Sequence, residues 1–112
     1  ERGFRGGEAV GYAITVSSKG YGGSMVMVVG LSLDGTVKGI RVLSHSETPG
    51  LGSKAAEAAF ASQFEGKRVE VFKLVKSSPS SEGEVQAVSG ATISSRAVLE
   101  GVNLALEVFR KL

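Results

Sequence analysis

Cysteine is absent from the 112 residues, and with it go disulfides, thiolate metal sites, iron–sulfur clusters and covalently attached haem. That absence leaves the redox compartment open, because a cysteine-free domain suits an oxidising or a reducing space. Tryptophan is missing too and aromatic residues make up only 6%, so stacking platforms for single-stranded bases are scarce. The formal charge is only +2, with Lys and Arg scattered rather than gathered into a stripe, which argues against a nucleic-acid partner. The one histidine, His45, has no carboxylates at ligand spacing around it, so no metal site is expected. Ser44 and Ser46 flank His45 without a nucleophile-elbow pattern, and no catalytic residue is assigned. The longest apolar run, residues 25–31, contains Gly30 and falls far short of the ~20 residues that cross a bilayer.

What remains is an ordinary folding composition, 42% hydrophobic and 21% charged, in a length that supports one core. Residues 1–7 have neither signal-peptide nor helical character and read as a linker or the cut edge of a longer chain, leaving 8–112 as the domain. Val10, Tyr12, Ile14 and Val16 alternate as in a strand. Residues 24–33 are apolar at both parities, as in a strand covered on two sides. Asp34-Gly35 then signals a hairpin into residues 36–43, and these two strands are expected to form the sheet centre. Residues 53–64 read as a helix with Ala56, Ala59, Phe60 and Phe64 on its apolar stripe. Val69, Val71 and Leu74 or Val75 suggest another short strand, and residues 85–88 a last one. From residue 93 to 112 a helix follows, with Val98 or Leu99, Val102, Leu106 and Phe109 turned inward and Glu100, Asn103, Glu107 and Arg110 toward water. The fold class is α+β: an antiparallel sheet with a short helix and a C-terminal helix packed against it.

The chemistry concentrates where the last strand meets that helix, at Ser89-Gly90-Ala91-Thr92. A helix start carries unpaired N–H groups and the positive end of the macrodipole, so a phosphate placed there meets donors and favourable potential together. Gly90 permits close backbone approach, and the Ser89 and Thr92 hydroxyls can donate hydrogen bonds or become phosphoester attachment points. The same residue types also suit a plain helix cap. A second glycine-containing loop, Glu47-Thr48-Pro49-Gly50-Leu51-Gly52, admits a parallel pair of readings. It is either a turn opening the next helix or a surface on which Leu51 meets a flat ring while Thr48 and backbone amides address its polar edge. Glu47 either bonds a ligand or caps its own loop. Gly20 to Gly23 lacks the spacing of a dinucleotide fingerprint.

The two loops together, SETPGLG and SGAT, resemble the FMN-binding domain of the G subunit of Rnf electron-transport complexes and the C subunit of the sodium-pumping NADH:quinone oxidoreductase. Gly20-Tyr21-Gly22-Gly23, Asp34-Gly35, the stretch at 63–67 and Ser94-Ser95 extend the likeness over most of the chain. The resemblance implies FMN joined through its phosphate to the hydroxyl of Thr92. Ser89, Gly90, Ala91, Glu47, Thr48, Gly50, Leu51 and Gly52 would complete the cofactor-binding set. It further implies an electron carrier rather than a self-sufficient enzyme, with other subunits of a membrane complex and a flavin transferase as partners. A missing N-terminal anchor would hold the domain outside the cytoplasm. The family's signature usually places Asp where Gln86 stands, which removes a negative charge. A non-covalent FMN or phosphate-binding module, or a structural interaction domain, is the alternative.

Overall fold

Strand periodicity in the N-terminal half produces one antiparallel sheet, seen in a computed structural model that describes residues 2–5, 8–20, 22–47 and 52–112. Its strands are β1 (Arg2–Arg5), β2 (Glu8–Lys19), β3 (Ser24–Leu31) and β4 (Val37–Ser44), in spatial order β1-β2-β3-β4 with every neighbouring pair antiparallel. β1 falls within residues 1–7 and pairs with β2 from Arg2↔Tyr12 to Arg5↔Glu8, a pairing that backbone groups make without side-chain alternation. β4 lies at the sheet edge, not at its centre as its hairpin with β3 suggested. The cause is β2, which matches β3 from Tyr12↔Leu31 to Lys19↔Ser24, whereas on the side away from β3 the first residue of β4 bonds residues 66–67, through Gly66 N–H to Val37 O (2.7 Å) and Val37 N–H to Lys67 O (2.9 Å).

Apolar content at both parities of β3 did not produce burial on both faces. Met25, Met27, Val29 and Leu31 are buried while the residues between them are only partly covered, so one face of the sheet is sealed. Register places Ile14 opposite Val29 and Val16 opposite Met27 on that face. In β4, Val37, Ile40 and Val42 stand opposite Leu31, Val29 and Met27, although 37 differs in parity from 40 and 42. The register shift between Gly30 and Leu31 makes this possible: one extra residue, Lys38, flips the phase so that all three apolar side chains reach the core.

Helix α2 (Thr92–Phe109) covers this face with Ala97, Val98, Val102, Ala105 and Leu106, and Ser18 Oγ donates to Ala97 O at 2.6 Å to tie the helix to β2. The helix expected over residues 53–64 is broken into a 3-10 turn (Gly52–Ala56) and a short helix α1 (Ala58–Ala61). Most of its backbone bonds span three residues, among them Phe60 N–H to Glu57 O and Phe64 N–H to Ala61 O, which is tighter winding than an α-helix. Phe60 and Phe64 are nevertheless buried as the stripe required. Phe64 lies edge-to-face between Phe60 (5.6 Å between centroids) and Phe72 (4.9 Å).

The strand expected across residues 69–75 is reduced to β5 (Lys73–Val75), which pairs in parallel with β6 (Glu84–Gln86). Residues 70–72 run along α2 instead. Asn103 Oδ1 accepts the Phe72 N–H (2.8 Å), Asn103 Nδ2 donates to Phe72 O (3.0 Å), and Arg110 Nη1 donates to Glu70 O (2.8 Å). Asn103, assigned to the water-facing side, is thus a half-buried clamp that takes the place of a strand partner. No helix among the described residues is long and apolar enough to cross a membrane.

The β3–β4 connection is a five-residue loop at 32–36 in which Asp34 organises the turn. Its Oδ1 accepts from Ser32 Oγ and from the Thr36 N–H (3.1 Å). The Ser32 hydroxyl, followed by the Thr36 donors, holds the Asp34 carboxyl at about 2, below its ordinary value of 3.8. Because the folded value is depressed, the contribution of Asp34 is complete above about pH 4 and is lost as pH falls toward 2. An NMR titration should show the Thr36 amide and the Asp34 carboxyl moving together in that window, with both movements gone in Asp34→Asn. A Thr36 amide indifferent to pH between 4 and 2 would refute the assignment.

Candidate functional site

After Gln86 the chain leaves β6 and turns through residues 87–91 into α2. Gly90 has φ +78°, in the left-handed region that glycine enters freely. The residue at the N-cap is Ala91, and no side chain caps the helix. Neither Ser89 nor Thr92 therefore performs the capping role that their types allow. The turn is braced from inside the helix: Ser95 Oγ accepts the Val88 N–H (2.9 Å) and donates to Ala91 O (2.8 Å), while Ala91 N–H donates to Val88 O (2.9 Å). Among the described residues no acceptor meets the N–H groups of Thr92, Ile93 and Ser94. An oxyanion at this point would find three donors and the helix dipole without displacing an internal bond.

Four hydroxyls lie on this segment, and their surroundings differ. Ser95 is fully buried and engaged on both sides. Ser94 is 2% exposed and donates to Glu47 Oε1. Ser89 is exposed and Thr92 half-buried, and neither hydroxyl has a hydrogen-bond partner among the described residues. Ala91 is buried beneath them.

The second loop reaches the same place from its two ends. Glu47, 5% exposed, bonds Ser94 through Oε1 and accepts the Gly22 N–H through Oε2 at 2.9 Å, while its own N–H donates to His45 Nδ1 at 3.2 Å. Gly52 opens the 3-10 turn, which packs against α2 and buries Ala55. Thr48, Gly50 and Leu51 lie outside the described residues. Beside the turn runs an open groove of ~270 Å³, lined by Lys54, Glu57, Phe60, Gln63, Gln86 and Val88. Gln63 clamps the backbone of Gln86 by donating Nε2–H to its O (2.9 Å) and accepting its N–H at Oε1 (2.8 Å). The Gln86 side chain itself is exposed.

Sequence reading assigned no role to Ser94, Ser95, Gly22 or Gln63. The signal for the serines was two adjacent hydroxyls on the stretch that begins an apolar helix, where buried polar atoms need specific partners. For Gln63 nothing local pointed to the clamp, since it joins positions 23 residues apart.

An α+β domain with a glycine turn running into an uncapped, donor-rich helix start defines a scaffold suited to a phosphorylated ligand. The chain belongs to the FMN-binding domain family, whose model matches residues 20–107. It is 39% identical over 103 residues to the G subunit of the proton-translocating ferredoxin:NAD(+) oxidoreductase complex of Clostridium ljungdahlii, covering 92% of this chain and 55% of that protein. To the G subunit of the Na(+)-translocating ferredoxin:NAD(+) oxidoreductase complex of Acetobacterium woodii it is 40% identical over 109 residues, covering 95% and 52%. The chain thus spans about half the length of these relatives. Among solved structures, the C subunit of the Na(+)-translocating NADH-quinone reductase from Parabacteroides distasonis superposes with a TM-score of 0.78 at 25% identity, over 94% of this chain and 57% of that one. NqrC of Shewanella oneidensis shares the fold, with a TM-score of 0.79 at 24% identity over 96% and 54%.

Proposed function

We propose that this chain is the FMN-carrying domain of a membrane-bound, ion-translocating electron-transport complex, with FMN held as a phosphoester on Thr92. The observation that carries the attachment site is the disposition of the four hydroxyls: Ser94 and Ser95 are buried and engaged, Ser89 and Thr92 have no hydrogen-bond partner among the described residues, and of these two only Thr92 belongs to the helix turn whose N–H groups would hold a phosphate. Ser89, Gly90 and Ala91 would shape the backbone around that phosphate, and residues 48–52, including Thr48, Gly50, Leu51 and Gly52, would supply the surface for the ring. Bound FMN would contribute one- and two-electron chemistry, and the protein would contribute its position and electrostatic surroundings. The names of the relatives support other subunits of such a complex as partners. A membrane anchor outside this sequence and an extracytoplasmic position complete the proposal.

Attachment forms one bond between Thr92 Oγ1 and phosphorus. It breaks one phosphoanhydride bond in an activated flavin dinucleotide, and the hydroxyl proton departs with the leaving nucleotide. Co-expression with a flavin transferase tests the reading: intact mass should rise by one FMN less one water, with a yellow colour that survives denaturation. Colour lost on denaturation would replace the covalent reading with a non-covalent one.

Gln86 bears on the rate of this step. Its side chain is exposed at the mouth of the groove while Gln63 holds its backbone, so a substitution there changes charge without disturbing the clamp. Gln86→Asp should speed attachment if a carboxylate at this position assists transfer, with an unchanged melting temperature. Equal rates for the two proteins would show that the charge is dispensable.

A further inference from the structure

Three segments far apart in the sequence meet at one buried carboxylate. Glu47 is 5% exposed, and a carboxylate so placed is costly unless its oxygens are satisfied. Here Oε1 takes the Ser94 hydroxyl and Oε2 takes the Gly22 N–H at 2.9 Å. The space it occupies exists because Gly20 and Gly22 carry no side chains. A Cβ at Gly20 would lie 2.7 Å from Glu47 Oε1, and one at Gly22 would lie 2.0 Å from Ser46 O. Gly20 N–H donates to Gly23 O at 2.7 Å, so the carboxylate is anchored to the sheet end where β2 passes into β3.

Ser94 is the third residue of α2 and belongs to the same first turn as Thr92. That turn has no side-chain cap, and uncapped helix ends fray. A bond from the buried side of the turn to an anchored carboxylate resists fraying and fixes the rotation of the turn about the helix axis. The negative charge is also favourably placed at the positive end of the helix dipole. We propose that Glu47 is the positioning residue of the attachment turn: through Ser94 it holds the first turn of α2 so that the Thr92 hydroxyl and the free N–H groups are presented together to the incoming phosphate. It acts through Ser94 and not on the flavin. By engaging the Ser94 hydroxyl it also withholds a competing acceptor on the same helix turn.

The proposal rests on Thr92 being the attachment site, and its test separates the two. Initial rates of flavin attachment are measured by intact mass, with transferase and flavin dinucleotide, on the wild-type chain and on Glu47→Ala, Ser94→Ala, Glu47→Gln and Ser18→Ala. Misplacing a reacting group by about 1 Å costs on the order of a hundredfold, so Glu47→Ala and Ser94→Ala should slow attachment by about tenfold or more. Glu47→Gln can accept the Gly22 N–H at its amide oxygen and donate its amide N–H to Ser94 Oγ, and should restore most of the rate. Ser18→Ala removes an equally direct tie on α2, to Ala97 O, away from the turn, and should leave the rate unchanged. In the flavin-free chain, amide hydrogen exchange at Ser95 and Arg96 should accelerate in Ser94→Ala and not in Ser18→Ala. If Glu47→Ala fails to fold, Ser94→Ala carries the comparison. Wild-type rate and exchange in Ser94→Ala would overturn the positioning role, as would equal slowing in Ser18→Ala or a Glu47→Gln as slow as Glu47→Ala. A wild-type chain labelled at a residue other than Thr92, or not labelled at all, would overturn the attachment reading instead.

Discussion

Thr92→Ala should abolish covalent flavin while leaving the domain folded. The hydroxyl it removes has no hydrogen-bond partner among the described residues, and the side chain is half-buried rather than part of the core. Loss of packing there is small, and alanine is the better helix former, so stability should change by no more than about 0.5 kcal/mol. Attachment is all or none, because without Oγ1 there is no bond to form. Ser94 and Ser95 should not substitute, since each hydroxyl is buried and engaged, to Glu47 and to the Ala91 carbonyl respectively. Ser89 is the exposed control: Ser89→Ala should be labelled normally. Thr92→Ser, which restores an oxygen at the same helix position, should restore labelling. Peptide mass mapping after co-expression with transferase reads all three variants beside the wild type. An adduct that persists in Thr92→Ala would place the attachment elsewhere and overturn Thr92 as the site.

The sheet, the hairpin and the long helix were legible because each rests on local periodicity. What was not legible depended on partners distant in sequence. Apolar residues at both parities suggested a two-sided β3, yet the odd positions alone are buried, and the phase of β4 is recovered only through an extra residue at Lys38. Asn103 and Arg110 looked like a solvated helix face, and nothing local reveals that residues 70–72 lie against them. In the candidate site, SGAT was visible as a strand-to-helix turn with anion-binding character. Its bracing was not, because Ser95 closes the turn from within the helix and Glu47 reaches Ser94 across 47 positions. Composition and spacing carry backbone conformation well, and they carry side-chain pairing across a fold hardly at all.

The largest stability effect should come from Phe64→Ala. Phe64 is fully buried and sits edge-to-face between Phe60 and Phe72, joining the short helix α1 to the segment clamped on α2. Truncating a buried Phe costs about 3–5 kcal/mol, the sum of lost transfer energy and an unfilled cavity. Total stability for a domain of this size is about 5–15 kcal/mol, so this one change removes a large share. At about 4 °C per kcal/mol the melting temperature should fall by more than ten degrees. Phe64→Leu retains most of the volume and should lose considerably less. The consequence extends to the site through the neighbouring residue. Gln63 holds both backbone groups of Gln86, so loosening α1 should free the end of β6 just before the attachment turn. Flavin attachment in Phe64→Ala, measured well below its melting temperature, should therefore be slower than in Phe64→Leu, and Gln63→Ala should reproduce the slowing with a much smaller loss of stability. Urea titrations give the stabilities and intact mass gives the rates. A loss below about 1 kcal/mol in Phe64→Ala would mean that the aromatic triad is not part of the cooperative core. Full attachment rate in Gln63→Ala would cut the link between that core and the turn.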